Sequence, residues 1–284
     1  MTEAPLLIDR TARLADAART EERLRVRQFG AVNWLGLWTL YIREVHRFLK
    51  VSMQTIIAPV VTTLLFLAIF LLAFASQRGA IAGVPFAQFL APGLIMMAMI
   101  QNAFANTTSS LMIGKIQGSI SDLLMPPLSP AELVWGFALG GVTRGLMVGV
   151  AVGATMVLVV HVSIANWGLV LFHAVAASLL LSVLGILAAL WAEKFDHIAA
   201  VTNFLVMPLS FLSGTFYSID RLPVAFRFVA NFNPFFYMID GFRAGFIGHA
   251  DGSLTIGIAV MVGINVVLLA ATHILFARGY KLKA

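Results

Sequence analysis

The residues that could do chemistry in this sequence are few, and most of them interrupt long apolar runs. Arg144 is a single charge within Leu133–Val160. The neighbouring run Phe86–Ile113 contains three amide side chains: Gln101, Asn102 and Asn106. An arginine at membrane depth is costly and usually faces a polar partner or a wet cavity. Arg144 lies roughly 18 Å along a helix that begins near Glu132, which is close to the middle of a bilayer.

No Asp or Glu occurs in any of the long apolar runs of this sequence. The groups that could face Arg144 are therefore the three amides, backbone carbonyls, water or an anionic substrate. Three roles follow from these partners. Arg144 either bonds to neighbouring helices as a structural group, lines a transport path, or reaches toward a lipid phosphate.

The stretch "GKIQGSISDLLMPPLSPAE" is a second polar feature, between two apolar runs. Apolar residues at helical spacing predict a short amphipathic helix over Gly114–Met125. Two prolines stop this helix, and "SPAE" then restarts one, with Ser129 as N-cap and Glu132 completing a capping box. The segment is either an ordered loop or a lever that receives force from a soluble partner. For the second interpretation, the candidate contact residues are Lys115, Gln117, Ile120, Asp122, Leu123 and Leu124.

Known catalytic and nucleotide-binding motifs do not occur in these 284 residues. There is no G-x-x-x-x-G-K-[ST], no H-E-x-x-H, no G-x-S-x-G and no cysteine. If ATP drives this protein, we expect ATP and Mg²⁺ to bind another subunit, with no cofactor in this chain. Two alternatives stay open, namely a secondary carrier or channel that works alone and a membrane enzyme acting on lipid-linked sugars. Missing intramembrane carboxylates disfavour the carrier.

The elements that position these residues are predicted to be membrane-spanning helices. The chain is 60% hydrophobic and 11% charged, with a mean hydropathy of +0.92. A helix needs about 20 apolar residues to span a bilayer. Six runs qualify, which predicts an all-α polytopic membrane protein: Ile56–Ala75, Phe86–Ile113, Leu133–Val160, Trp167–Ala192, Ile198–Ser218 and Leu254–Ala277. Pro208 and Gly214 could bend or end the fifth run.

Most of the 19 Lys and Arg residues fall on one side of this arrangement. They lie before residue 51, after Ala277, and in the loops that hold Lys115 and Lys194. The positive-inside rule therefore places both termini in the cytoplasm. Residues 1–30 lack the apolar core of a signal peptide, so we expect an Arg-rich cytosolic tail. The positive charge of so apolar a chain indicates membrane orientation and not nucleic-acid binding.

Two further patterns predict helix contacts. Residues 33–50 place Trp34, Trp38, Tyr41, Val45 and Phe48 on one helical face. Thr39, Arg43, His46, Arg47 and Lys50 lie on another. This pattern indicates a helix lying in the membrane interface, either as an anchor or also as a contact for a cytoplasmic partner.

The third span carries glycines four residues apart: Gly141, Gly145, Gly149 and Gly153. Gly136 and Gly140 form a further pair. Such stripes let helix backbones approach closely, either within one subunit or at a dimer or gate surface.

Four stretches resemble the membrane subunit of ABC exporters of the type-2 permease family. They are "EVHRFLKVSMQTIIAPVVT", "QFLAPGLIMMAMIQNAFAN", "GGVTRGLMVG" and "FLSGTFYSIDRLP" followed by "NPFFYMIDGFRAGFIG". The resemblance runs from about Trp34 to Ala277 and leaves out the Arg-rich tail. It implies one transmembrane domain over 31–284, in the bacterial inner membrane.

The same resemblance implies a homodimer that binds two copies of a cytosolic ABC ATPase. The coupling helix between spans two and three would be Gly114–Met125. Spans one, two and five would line the export path. Residues 219–252 would form re-entrant helices on the outer side, broken at Asn233–Pro234, with Tyr237 and Arg243 in the same motif. The arginines of this segment would reach the lipid headgroups.

Overall fold

The computed structural model describes residues 30–74, 81, 83–120, 122, 125–219, 227 and 230–281. The predicted tail lies outside the described residues except for Gly30. Leu123 and Leu124 also lie outside them, as do residues 220–226, 228 and 229 of the predicted re-entrant segment. The fold is described below from Trp34 onward.

Six helices are long and apolar enough to cross a membrane, as predicted. They are named here span one to span six: Met53–Ala73, Phe86–Ile116, Pro130–Val160, Trp167–Trp191, Phe195–Leu212 and Leu254–Ala277. Two shorter helices accompany them, α1 before span one (Trp34–Leu49) and α2 before span six (Pro234–Ile247). Within the described ranges no strand forms, and the only β-type pairing is an isolated bridge between Ile81 and Val84. The predicted all-α fold is confirmed.

Span five is shorter than predicted, because it ends at Leu212 and not at Ser218. Gly214 adopts a left-handed backbone (φ 76°) just beyond this end. Such a conformation suits glycine and terminates a helix. Pro208 does not end the helix, because a π turn at Thr202–Val206 precedes it. Proline has no N–H for the carbonyl four residues earlier, and a wide turn accommodates that missing bond.

Span two is the central helix of the described fold. In its most apolar window 78% of residues are buried, against 11% in spans one and five. It packs against spans three and four, and its N-terminal half packs against α2. Phe89, Leu90 and Ile100 of span two are fully buried in this core. The polar residues Asn106, Thr107 and Ser110 of span two are buried between helices, and Gln101 and Asn102 line cavities.

Helix α1 packs on span three at two glycines. A Cβ at Gly136 would meet the side chain of Leu40, and one at Gly140 would lie 2.6 Å from the Cβ of Glu44. The buried face of α1 consists of Leu40, Glu44 and Phe48. Trp34 and Trp38 are largely exposed. The helix is amphipathic, but Phe48, which was predicted on the same face as Trp34 and Trp38, is buried with Leu40 and Glu44.

The segment between spans two and three also differs from the prediction at its start. Span two continues to Ile116, so Gly114 and Lys115 belong to its last turn. A turn follows at Gly118, whose φ is 68°. The end of the segment is as predicted: the Ser129 side chain accepts from the Glu132 N–H at 3.3 Å, and the Glu132 carboxylate accepts from the Ser129 N–H at 2.6 Å. This capping box fixes where span three begins.

Candidate transport site and coupling surface

Arg144 lies against one of the three predicted amides. Its Nη2 donates to Asn102 Oδ1 at 3.1 Å. Asn102 in turn donates to the Ala98 carbonyl of its own helix at 3.0 Å. Two buried donors nearby have no hydrogen-bond partner among the described residues, namely Arg144 Nε and Gln101 Nε2. The described ion pairs do not include Arg144. The guanidinium thus has one neutral acceptor and no counter-ion in this part of the chain.

Gln101 and Asn102 form a wall shared by two cavities. A cavity of about 240 Å³ lies between spans one and two, and one of about 370 Å³ lies between spans two and five. Both are partly apolar, with Phe66 in the first and Phe104 in the second. Their other polar lining residues are Gln54, Thr62 and Thr63 in the first and Thr108, Ser109 and Thr202 in the second. Two partly polar cavities between spans one, two and five therefore lie against one amide pair.

A buried charge network lies beside this wall and was not predicted. Glu44 of α1 is fully buried and accepts from Arg47 at 3.2 Å and from Ser110 Oγ at 2.7 Å. Arg47 also donates to Asn106 Oδ1 at 2.9 Å and to Ser109 Oγ at 3.0 Å. The side-chain oxygen of Asn106, the third predicted amide, therefore accepts a hydrogen bond from Arg47 and not from Arg144. Arg47 was predicted on an outward polar face, and the structure instead turns it toward span two.

The sequence contains a signal for this network. Glu44 falls midway between Leu40 and Phe48, four residues from each, so it stands in an apolar stripe. A carboxylate in such a stripe needs a buried partner. Arg47 lies one turn further on, where a helical ion pair can form. The pattern indicates a buried pair, although the partner residues on span two could not be deduced from it.

The glycine stripe of span three faces other helices of the same chain. A Cβ at Gly141 would collide with Ser182 of span four. One at Gly145 would lie 2.8 Å from Ser178 Oγ and 3.2 Å from the Met99 backbone oxygen. One at Gly149 would overlap the Met99 side chain, whereas Gly153 has only Ile95 at 3.9 Å. Neighbouring helices therefore approach span three closely at three of the four glycines, Gly141, Gly145 and Gly149.

The predicted coupling residues have different surroundings. Gln117 and Asp122 are exposed, and Ile120 is buried in the core near the Ser129 cap. Lys115 faces inward, because its ammonium donates to the carbonyls at the end of span four. These acceptors are Ala189 at 3.0 Å, Leu190 at 3.0 Å and Ala192 at 2.7 Å.

The loop after span four lies next to the C-terminal segment. Lys281 donates to Glu193 at 3.0 Å. The Lys281 ammonium lowers the pKa of this exposed carboxyl through that hydrogen bond and through its charge. The ends of spans two, four and six are therefore joined by lysine contacts at the side predicted to be cytoplasmic.

The predicted outer motif builds the start and the core of α2. Asn233 is its N-cap and accepts from the Phe235 N–H at 3.0 Å, while its Nδ2 donates to Leu209 O and Ser213 Oγ of span five. Pro234 is the first helical residue. Tyr237 donates to the Asn231 carbonyl at 2.9 Å.

Arg243 does not reach outward. It is buried, it lies 4.0 Å over the Phe89 ring, and it donates to the Gly214 carbonyl. The prediction that this arginine reaches the lipid headgroups is wrong. A cation over an aromatic face with a carbonyl acceptor is stabilised inside the protein. The contact ties α2 to span two and to the end of span five.

Comparison with known proteins agrees with this architecture. Residues 36–247 match the family described as ABC-2 type transporter. The chain is 37% identical over 251 residues to "Inner membrane transport permease YadH" of Escherichia coli (strain K12), covering 88% of this chain and 98% of that protein. It is 25% identical over 256 residues to "Nodulation protein J" of Rhizobium leguminosarum bv. viciae, with 88% and 96% covered. This chain belongs to the ABC-2 type transporter family and is a membrane transport permease of an ABC transporter.

Proposed function

We propose that this chain works as a homodimer, with two copies of a cytosolic ABC ATPase, to export a substrate across the bacterial inner membrane. The observation that carries the proposal is a set of exposed polar side chains on two apolar spans. Gln54 and Thr62 are exposed on span one, and Asn203 is exposed on span five. Polar groups in a membrane span normally face protein or a water-filled space. A second copy facing spans one and five would provide protein contacts and a water-filled space for these side chains. The two cavities would then become part of a path between the copies.

The sides of the membrane follow from charge. Lys115, Lys194 and Lys281 lie at one end of the bundle, with the loops after spans two and four. Under the positive-inside rule this end and both termini are cytoplasmic. The inner-membrane location is taken from the name of the Escherichia coli relative. The export direction and the two ATPase copies are taken from the family resemblance.

The ATPase is proposed to dock on the segment between spans two and three. Gln117, Asp122 and Met125 expose their side chains there, immediately before the capped start of span three. A movement of the docked ATPase would be transmitted through this segment to the last turn of span two and, through Ser129, to the start of span three. The chain itself would be non-catalytic, with ATP and Mg²⁺ bound by its partner.

Co-purification tests the docking surface. We expect the ATPase encoded beside this gene to co-purify with the wild-type chain and to be lost with Asp122→Lys or Met125→Arg. Asp196→Lys, an equal charge change on an exposed residue in the first turn of span five, should retain it. If both Asp122→Lys and Met125→Arg retain the ATPase at wild-type levels, the docking surface lies elsewhere. ATP-independent transport by the purified chain would contradict the whole proposal.

A further inference from the structure

Arg144 and Arg47 differ in how their charge is neutralised. Arg47 pairs with a fully buried carboxylate, Glu44, at 3.2 Å. Arg144 has only the neutral Asn102 Oδ1 as acceptor, and its buried Nε is unpartnered among the described residues. A guanidinium in a low-dielectric site attracts anions strongly, and a charge-assisted bond to an anion is about twice as strong as one to a neutral acceptor. Asn102 Oδ1 therefore occupies a position that an anionic oxygen would fill more favourably.

The surroundings of Arg144 suit an incoming ligand. Asn102 lines both cavities, so the guanidinium lies 3.1 Å from an atom of a lining side chain. Gln101 lines both cavities as well and has an unpartnered buried amide nitrogen, which is a second donor. Thr62 and Ser109 add hydroxyl groups on the two sides. None of the residues that line the two cavities is acidic, so nothing in either lining favours a cationic or repels an anionic group.

We infer that Gln101, Asn102 and Arg144 form a binding site for the anionic head group of an amphiphilic substrate, of the phosphate class. Volumes of about 240 and 370 Å³ suit a head group and not a complete amphiphile. The apolar lining residues beside the amides, Phe66 and Phe104, suit the first part of an attached chain. This inference rests on the proposed transport function, because spans one, two and five are the proposed lining of the path.

Binding proceeds by exchange of acceptors. The anionic oxygen takes the Nη2 hydrogen of Arg144 that Asn102 Oδ1 now accepts, and Arg144 Nε and Gln101 Nε2 become donors to the same group. Asn102 turns away and keeps its bond to the Ala98 carbonyl. The two buried donors that lack partners among the described residues then gain an acceptor.

Native mass spectrometry of the purified full chain in a neutral detergent tests the site without the ATPase. The probes are dilauroyl phosphatidic acid and dilauroyl phosphatidylcholine, which share their chains but differ in head-group charge. We expect the wild type to bind phosphatidic acid preferentially. Arg144→Gln should weaken that binding about tenfold or more, the loss expected for one buried charge-assisted bond. Arg43→Gln, which removes an exposed arginine of α1, should bind like the wild type.

A second variant covers the case in which Arg144→Gln does not fold. Gln101→Leu keeps the guanidinium and the side-chain size, and it should also weaken phosphatidic acid binding while leaving phosphatidylcholine binding unchanged. Inorganic phosphate separates the two sources of the anion. Competition by millimolar phosphate supports a site that recognises the head group alone, and absence of competition supports one that also needs the chain.

Equal phosphatidic acid binding by the wild type and by whichever of these two variants folds would overturn the inference. Loss of ATPase docking with phosphatidic acid binding intact would instead count against the proposed coupling, so the two failures are distinguishable.

Discussion

Arg47, Arg243 and Lys115 each hold a positive charge among protein groups that stabilise it. Arg47 has a carboxylate, Arg243 has an aromatic face and a carbonyl, and Lys115 has the carbonyl end of a helix. Arg144 has one neutral amide within the described residues. At the residue scale, this difference separates three cations that hold the fold together from Arg144, which we propose binds an anionic ligand.

Arg243→Met tests the structural role of the buried outer arginine. The substitution removes the cation over Phe89 and leaves the Gly214 carbonyl without its donor. We expect a loss of about 2 kcal/mol or more in the free energy of unfolding, because an unsatisfied buried acceptor and a lost cation–π contact add. Thermal unfolding in detergent measures the change. Arg43→Met, at an exposed position of α1, is the control. Equal stability of the two variants would contradict the structural role of Arg243.

Lys115→Met separates stability from docking. The ammonium donates to three carbonyls at the end of span four, where a cation also interacts favourably with the helix dipole. We expect a loss of about 1–2 kcal/mol in the free energy of unfolding. Co-purification of the ATPase should persist, since the side chain faces inward. Lys50→Met, on an exposed residue, should change neither quantity. Lost ATPase binding at unchanged stability would reassign Lys115 to the docking surface.

At the element scale, spans one and five share one irregularity. Each contains a five-residue π turn, Met53–Ile57 at the start of span one and Thr202–Val206 after the first seven residues of span five. In each, a proline follows two positions later, Pro59 and Pro208. A π turn before proline leaves backbone carbonyls free of the regular ladder and is a place where a helix bends. These two spans also have the smallest buried fraction of the six, so a bend in them would disturb little packing.

Gly145→Ala and Gly153→Ala form a matched pair on one helix. Alanine stabilises a helix interior relative to glycine by about 1 kcal/mol when space allows. At Gly153 the nearest atom to an added Cβ is 3.9 Å away, so we expect equal or higher stability. At Gly145 a Cβ would press on Ser178 and on the Met99 backbone, and we expect a loss of about 1–3 kcal/mol. Thermal unfolding measures the stability of the two variants. A Gly145→Ala variant more stable than Gly153→Ala would contradict the close packing of spans two, three and four.

The helices were predictable where their boundaries depend on neighbouring residues in the sequence. Long apolar runs fixed the six spans, and the Ser129 capping box predicted the start of span three. The run was predicted to reach Ser218, with Gly214 named as a possible end, and the helix stops at Leu212, just before the left-handed backbone of Gly214. Arg243 was predicted to reach outward and the burial of Glu44 was not predicted, because partners of both residues are distant in sequence. A buried charge is explained only when the elements that supply its partners have been packed together.

At the scale of the whole molecule, spans one and five expose a face that a second copy would cover. The chain has no native cysteine, so single introduced cysteines report unambiguously on neighbours. We expect Thr62→Cys or Asn203→Cys to yield dimers with a short homobifunctional thiol cross-linker in native membranes. Val266→Cys on the exposed face of span six should not. Dimers from Val266→Cys alone would place the subunit interface at span six and move the proposed path.

In the proposed mechanism, ATP bound by a partner subunit moves the membrane helices of this chain. The most direct test is the distance between spin labels on Thr62→Cys in the two copies, measured by double electron–electron resonance in reconstituted complexes. We predict one distance in the complex without nucleotide and a shifted one after trapping with ATP and vanadate. The shift should vanish when the ATPase is omitted or when Asp122→Lys prevents docking. An unchanged distance in a complex that hydrolyses ATP would contradict the account.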